Sequence, residues 1–126
     1  MIVKDLASVI GTDDHMVGYN LESRRILLAR DGLGYSLHDT VVEAGNELHL
    51  HYKNHIESNY VIEGEGTVEN VATGEVHELS VGSIYVLDKN DAHILRTKTK
   101  MRFVCVFTPA LSGEERHDED GSYDPS

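Results

Sequence analysis

Gly45-Asn46-Glu47-Leu48-His49-Leu50-His51-Tyr52-Lys53-Asn54-His55-Ile56-Glu57-Ser58-Asn59-Tyr60-Val61-Ile62-Glu63-Gly64 is the stretch that decides the fold. It holds two runs rich in apolar, aromatic and β-branched residues, Glu47 to Tyr52 and Asn59 to Glu63. Polar residues separate the runs and a glycine closes each end, the pattern of short strands bounded by turns. Outward from it, Tyr35 to Val42, Glu75 to Leu79, Ser83 to Leu87, His93 to Thr97 and Met101 to Thr108 read the same way. Turn clusters lie between them, at Glu43-Ala44-Gly45-Asn46, Ala72-Thr73-Gly74 and Asp88-Lys89-Asn90-Asp91. Strands at this spacing predict an all-β sandwich or barrel. A short helix is expected over Asp5 to Ile10, stopped by Gly11. After Pro109 the pattern dissolves into an acidic tail, Gly113 to Gly121, expected to be solvated and loose.

The chain has 126 residues, 40% of them apolar and 26% charged, which suits one core and one domain. We divide it into a barrel over about residues 1–112 and a flexible tail or lid over 113–126. Twenty-two acidic against 11 basic residues leave a charge of −11, which argues against nucleic acid or an anionic membrane as partner. The longest apolar run, Phe103-Val104-Cys105-Val106-Phe107, is far too short to span a bilayer. No apolar stretch follows Lys4 as a secretory signal requires, so a cytoplasmic protein is expected. A single cysteine, Cys105, excludes an internal disulfide. Of the histidines, His38, His49, His51, His55 and His93 fall in the middle of the chain, where a core would form.

The glycine frames carry a resemblance. Gly45 is followed by five residues, His51, one residue, Lys53, three residues, Glu57, six residues and Gly64. From Gly74 the chain runs five residues, Ser80, Val81, Gly82, two residues and Tyr85. Both frames resemble the paired motifs of the cupin superfamily, small jelly-roll-like β-barrels that hold a metal on two histidines and a glutamate of the first motif and a histidine of the second. Lys53 stands where the second histidine is usual, Tyr85 where the last histidine is usual, and Ser80 where a proline is usual. The barrel follows from the resemblance; the ligand set is altered.

The altered set still offers donors. Glu57 brings a carboxylate oxygen, Tyr85 a phenol oxygen and His93 an imidazole nitrogen. His93 follows Tyr85 by eight residues across the Asp88–Asp91 turn, so a hairpin is expected to bring the two together. A phenol ligates well when a cation stabilises its phenolate. Two oxygens and one nitrogen without a thiolate suit iron(II) better than structural zinc, and three protein ligands leave positions open. Taken singly, Glu57 is an ordinary strand-end acid, Tyr85 a half-buried aromatic and His93 a turn histidine. His51 has the further options of fourth ligand, indirect partner or plain strand residue, and we leave it outside the set.

A closer resemblance covers nearly the whole chain. The blocks Ser23-Arg24-Arg25-Ile26-Leu27-Leu28, Asp31 to Thr40, Tyr52-Lys53-Asn54-His55-Ile56-Glu57, Tyr85-Val86-Leu87-Asp88, Cys105-Val106-Phe107-Thr108-Pro109 and Gly113 to Glu119 recur in the order found in the ectoine synthase family. An aromatic residue usual just before the Ser-Arg pair is Leu21 here.

The resemblance implies a hydro-lyase that closes N-γ-acetyl-L-2,4-diaminobutyrate into ectoine, a cyclic amidine and compatible solute, with release of water. It implies Fe(II) on Glu57, Tyr85 and His93, polarising the acetamide, and a homodimer. Tyr52, His55, Glu115 and His117 are then the proton-transfer candidates, the last two on a tail that must fold over the barrel mouth. Arg24 or Arg25 would grip the substrate carboxylate. Alternation puts Ser36, His38 and Thr40 on one face, His38 and Thr40 as substrate contacts. Phe103, Cys105 and Phe107 share a face of their own strand, either plain core or, for Cys105 and Phe107, pocket lining. Two other readings stay open: an iron-dependent cupin oxygenase and a non-catalytic cupin that binds a small molecule.

Overall fold

The computed structural model describes residues 1–117, 121 and 122. Among the described residues ten strands form two antiparallel sheets, β1 (His15–Gly18), β2 (Leu21–Leu27), β3 (Ser36–Val42), β4 (Glu47–Leu50), β5 (Ile56–Glu63), β6 (Gly66–Asn70), β7 (Val76–Leu79), β8 (Ile84–Val86), β9 (His93–Thr97) and β10 (Met101–Thr108). One sheet has the order β1-β2-β3-β10-β5-β8, the other β4-β9-β6-β7. The all-β barrel expected from the sequence is therefore present. Its core is the alternation of β10 made physical: Met101, Phe103, Cys105 and Phe107 are buried, while Arg102, Val104 and Val106 reach the other face. Val42, Val61, Val68 and Leu95 meet that stripe from the flanking strands and the opposite sheet.

The register orders the inner face of the larger sheet into rows. Leu21, Val42 and Met101 pair across β2, β3 and β10. The next row is Ser23, Thr40, Phe103 and Val61, then Arg25, His38, Cys105, Asn59 and Tyr85, and last Ser36, Phe107 and Glu57.

Three expectations are corrected. The segment Asp5 to Ile10 is a series of turns, not a helix: Ser8 N–H donates to Asp5 Oδ1 (2.8 Å) and Ser8 Oγ to the Asp5 carbonyl (2.8 Å). Such local side-chain bonds compete with helical ones, and Gly11 at φ +81° ends the run before a second turn can form. The only helical turn among the described residues is a 3-10 turn over Ala29–Asp31. Second, β8 and β9 do not make a hairpin. β8 pairs with β5 and β9 with β4 and β6, so residues 87–92 cross between sheets. Leu87 N–H donates to the Glu57 carbonyl at the start of the crossing, and Asn90 (φ 53°) donates its Nδ2 to the carbonyls of Tyr52 and His55. Third, the segment after Pro109 is bonded to the barrel as far as His117. Leu111 is fully buried, and Arg25 donates to the carbonyls of Gly113 (2.7 Å) and Glu115 (2.8 Å). The rest of the expected tail, residues 118–120 and 123–126, lies outside the described residues.

Candidate active site

Between the sheets lies a cavity of about 80 Å³. Alternation on each strand supplies its walls: His38, Thr40 and Val42 from β3, Phe103, Cys105 and Phe107 from β10, Glu57 and Asn59 from β5. Leu21 and Ser23 come from β2, Tyr85 from β8, Leu48 and Leu50 from β4, and Leu95 from β9. Tyr52, just past β4, and His117 close the remaining side.

Three acids, Glu57, Tyr85 and Cys105, share one wall. Burial pushes the Glu57 carboxyl up to about 8, against the pull of hydrogen bonds with Asn59 and Cys105. Burial, then repulsion from Glu57, holds the Tyr85 phenol well above its ordinary value. The Cys105 thiol is raised for the same two reasons, and its Sγ lies 3.5 Å from Thr40 Oγ1. Such a thiol stays protonated and is no nucleophile.

His93 is not on the wall of this cavity but lines a neighbouring pocket with Tyr85, its ring 6.3 Å from that of Tyr85 and 6.0 Å from that of Tyr52. Its Nδ1 donates to the Asp91 carbonyl (2.9 Å), which leaves the lone pair on Nε2. Burial lowers the His93 pKa, so the ring is neutral, and Nε2 is buried without a hydrogen-bond partner. Among the described residues no three His, Cys, Asp or Glu side chains gather closely enough to hold a metal ion. Glu57, Tyr85 and His93 are the side chains here that would serve such an ion as donors. A neutral imidazole with its tautomer fixed from behind and two oxygen acids that a positive charge would relieve fit such an ion.

Of the other expected residues, the structure brings Tyr52, His117, His38, Thr40, Cys105 and Phe107 to the cavity. Tyr52 Oη lies 2.7 Å from His117 Nε2, and the Tyr52 ring packs edge-on against Phe107 at 5.1 Å. His38 is pushed down to about 3 by burial and by the nearby Arg25, so it is neutral; its Nδ1 is 3.3 Å from Ser23 Oγ. His55 is buried behind Phe107, edge-on at 6.1 Å, and is not on the cavity wall. Burial lowers its pKa, partly countered by Glu115. The Glu115 carboxylate accepts the N–H groups of Ser112 (2.7 Å) and Gly113 (2.9 Å).

Arg24 is not brought to the cavity, a correction. Its neighbours Ser23 and Arg25 take the inner face, so its guanidinium points outward and holds Asp39 (2.5 Å), which Arg102 holds as well (2.6 Å). Arg25 is buried on the inner side, its guanidinium on the chain segment that covers the barrel. Sequence reasoning missed Ser23 and Asn59. Both were within reach of it: Asn59 follows Glu57 by two on one strand, and Ser23 precedes Arg25 by two.

Fold and cavity together define a cupin-type barrel with a cavity between its sheets. A RmlC-like cupin from Shewanella frigidimarina NCIMB 400 shares the fold at TM-score 0.61 and 19% identity, over 76% of this chain and 82% of its own. The crystal structure of ectoine synthase from P. lautus superposes at TM-score 0.90 with 47% identity, over 96% of this chain and 87% of that one. L-ectoine synthase of Oceanobacillus iheyensis is 57% identical over 123 residues, 98% of this chain and 96% of the relative. The profile of the family described as ectoine synthase matches residues 1–126, and the chain belongs to that family. It is a lyase-type enzyme of ectoine biosynthesis, and its reaction is the ectoine-forming cyclisation. Among the described residues no helix is long and apolar enough to cross a membrane.

Proposed function

We propose that the interior cavity folds N-γ-acetyl-L-2,4-diaminobutyrate on itself, so that its α-amine attacks its own acetamide carbon and water leaves. The observation that carries this reading is the meeting of the Glu57–Tyr85 wall and the Tyr52–His117 pair in one cavity between the sheets. Amides are poor electrophiles, the α-amine is protonated near neutral pH, and hydroxide is a poor leaving group. Each needs an answer from the walls.

Enclosure answers first, since it presents the amine to the carbonyl carbon within one molecule, worth several kcal/mol of orientation. Tyr52 and His117 form a hydrogen-bonded pair that takes the proton from the ammonium and returns one to the departing oxygen. Glu115, through its bonds to Ser112 and Gly113, shapes the turn that delivers His117. His55, the remaining proton-transfer candidate, stands off the cavity wall and supports Phe107 from behind. Thr40, the neutral His38 and the Cys105 thiol contact the substrate, with Phe107 as a flat apolar wall and Arg25, paired with His38 across β2 and β3, as the cation for its carboxylate. Glu57, Tyr85 and His93 would hold iron(II). Bound there, the ion supplies Lewis acidity for the acyl oxygen. The described part of the C-terminal segment, residues 113–117, acts as a lid. A cytoplasmic homodimer suits a chain whose lone cysteine is buried and reduced and whose edge strand β8 exposes Ile84 and Val86.

The test is NMR of the purified protein, loaded anaerobically with iron(II), mixed with N-γ-acetyl-L-2,4-diaminobutyrate. Ectoine and water are expected, and chelation stops the reaction. Oxygen uptake would instead mark an oxygenase, and metal-independent binding without turnover a binding module.

A further inference from the structure

One end of the cavity is aliphatic on both sheets. Leu21 pairs with Val42 on the larger sheet and Leu48 with Leu95 on the smaller, and all four line the cavity. Leu50 pairs with His93 in the row before Leu48 and Leu95. Rows on one face of a strand are about 7 Å apart, so this aliphatic end begins one row from His93. The outer side of the same wall is a groove to which Leu21, Leu48, Leu50 and His117 also contribute.

The substrate has three termini: a carboxylate, an ammonium and the acyl methyl. The first two lose water without return when set against leucines. The acyl terminus is the one that suits this end, and a single methyl covers little of a surface made by four branched side chains.

We propose that the enzyme accepts N-γ-acyl-2,4-diaminobutyrates with acyl chains longer than acetyl and closes them to the matching 2-alkyl cyclic amidines. The inference rests on the reading of this cavity as the site of cyclisation. The chemistry balances without a co-reactant. The α-nitrogen forms a bond to the acyl carbon, the acyl carbon–oxygen bond breaks, and the oxygen leaves as water with two protons from the ammonium. The alkyl group is a spectator. Each added methylene that this wall covers tightens binding about fourfold.

The acetyl, propionyl and butyryl substrates are run in parallel on the iron(II)-loaded enzyme and followed by NMR. The propionyl homologue is expected to show a lower KM than the acetyl substrate and a kcat/KM within tenfold of it. A propionyl kcat/KM more than tenfold below the acetyl value, with acetyl closed normally, overturns this inference alone; no turnover of any of the three overturns the proposed function with it. Two further measurements bear on the wall itself. The 2-ethyl homologue of ectoine should bind about fourfold tighter than ectoine by calorimetry, and equal or weaker binding counts against the wall. Leu48→Phe should lower the butyryl-to-acetyl ratio of kcat/KM about tenfold, and an unchanged ratio removes Leu48 from the acyl path.

Discussion

The hydroxyl of Tyr52 lies 2.7 Å from Nε2 of His117, which joins the end of β4 to the C-terminal segment across the cavity mouth. Tyr52→Phe removes that oxygen and keeps the ring in its edge-on packing with Phe107 at 5.1 Å. Loss of a positioned proton-transfer group costs on the order of 100-fold in rate. We expect kcat to fall by about that factor with KM and the thermal midpoint little changed, read by NMR turnover and calorimetry. An undiminished kcat would take Tyr52 out of the chemistry.

Arg25 holds the same segment from the barrel side, through the carbonyls of Gly113 and Glu115. Arg25→Ala removes both bonds. Limited proteolysis near Gly113 should become markedly faster in the variant. In the unaltered chain, iron(II) and substrate together should slow it if the lid closes over a filled cavity. Identical cleavage in the presence and absence of ligands would mean that the segment is fixed independently of them.

Burial and Arg25 hold His38 neutral in the fold, with its pKa down at about 3. The unfolded chain takes up a proton at this position near the ordinary histidine value. Between about pH 6.5 and 3 the unfolded state therefore binds more protons, and stability falls as the pH is lowered through that window; above it the effect is absent. From pH 7 to pH 5 the loss amounts to about 2 kcal/mol. His38→Asn removes it, so urea midpoints of the variant should change less between pH 7 and pH 5. Equal slopes for both proteins would show that His38 is hydrated or protonated in the fold.

What the sequence displayed and what it hid follow from how local each signal is. The β10 stripe and the Ser36–His38–Thr40 face were legible because strand alternation depends on nothing outside the strand. Gly64 was legible as punctuation, and the structure shows its cause: it sits at φ +89°, and a Cβ there would lie 2.2 Å from the Lys100 carbonyl oxygen. The β1–β2 hairpin was not, because Arg24 and Arg25 break its apolar pattern, one bound to Asp39 outside and one buried under the C-terminal segment. Strand β6 begins at Gly66 and reads Gly-Thr-Val-Glu-Asn, closer to a loop than to a strand. The crossing at residues 87–92 depends on bonds to Tyr52, His55 and Glu57, contacts that spacing alone does not disclose. Glu57, Tyr85 and His93 were singled out by donor chemistry and resemblance, yet the expected hairpin was wrong. Two opposed sheets, and not neighbouring strands, bring Tyr85 and His93 near each other.

That arrangement fixes how metal affinity should depend on pH. Glu57 has its pKa raised to about 8 in the metal-free cavity, so below that value the carboxyl is mostly protonated. A cation that takes this oxygen must displace the proton, and the phenol proton of Tyr85 as well if phenolate is the ligand. His93 adds no proton cost near neutral pH, because burial keeps its ring neutral. The apparent affinity should thus rise at least tenfold per pH unit from pH 6 towards 8, and the Glu57 contribution should level off above 8. Cobalt(II) titrations at several pH values, in buffers of different ionisation enthalpy, read both the slope and the protons released. His93→Ala should weaken binding at least 100-fold at every pH, since it removes a neutral donor and no titrating group. Glu57→Gln should weaken it most above pH 8 and flatten the slope by about one proton. A pH-independent affinity in the unaltered chain, or a Glu57→Gln variant with the original slope, would remove the carboxylate from the ligand set.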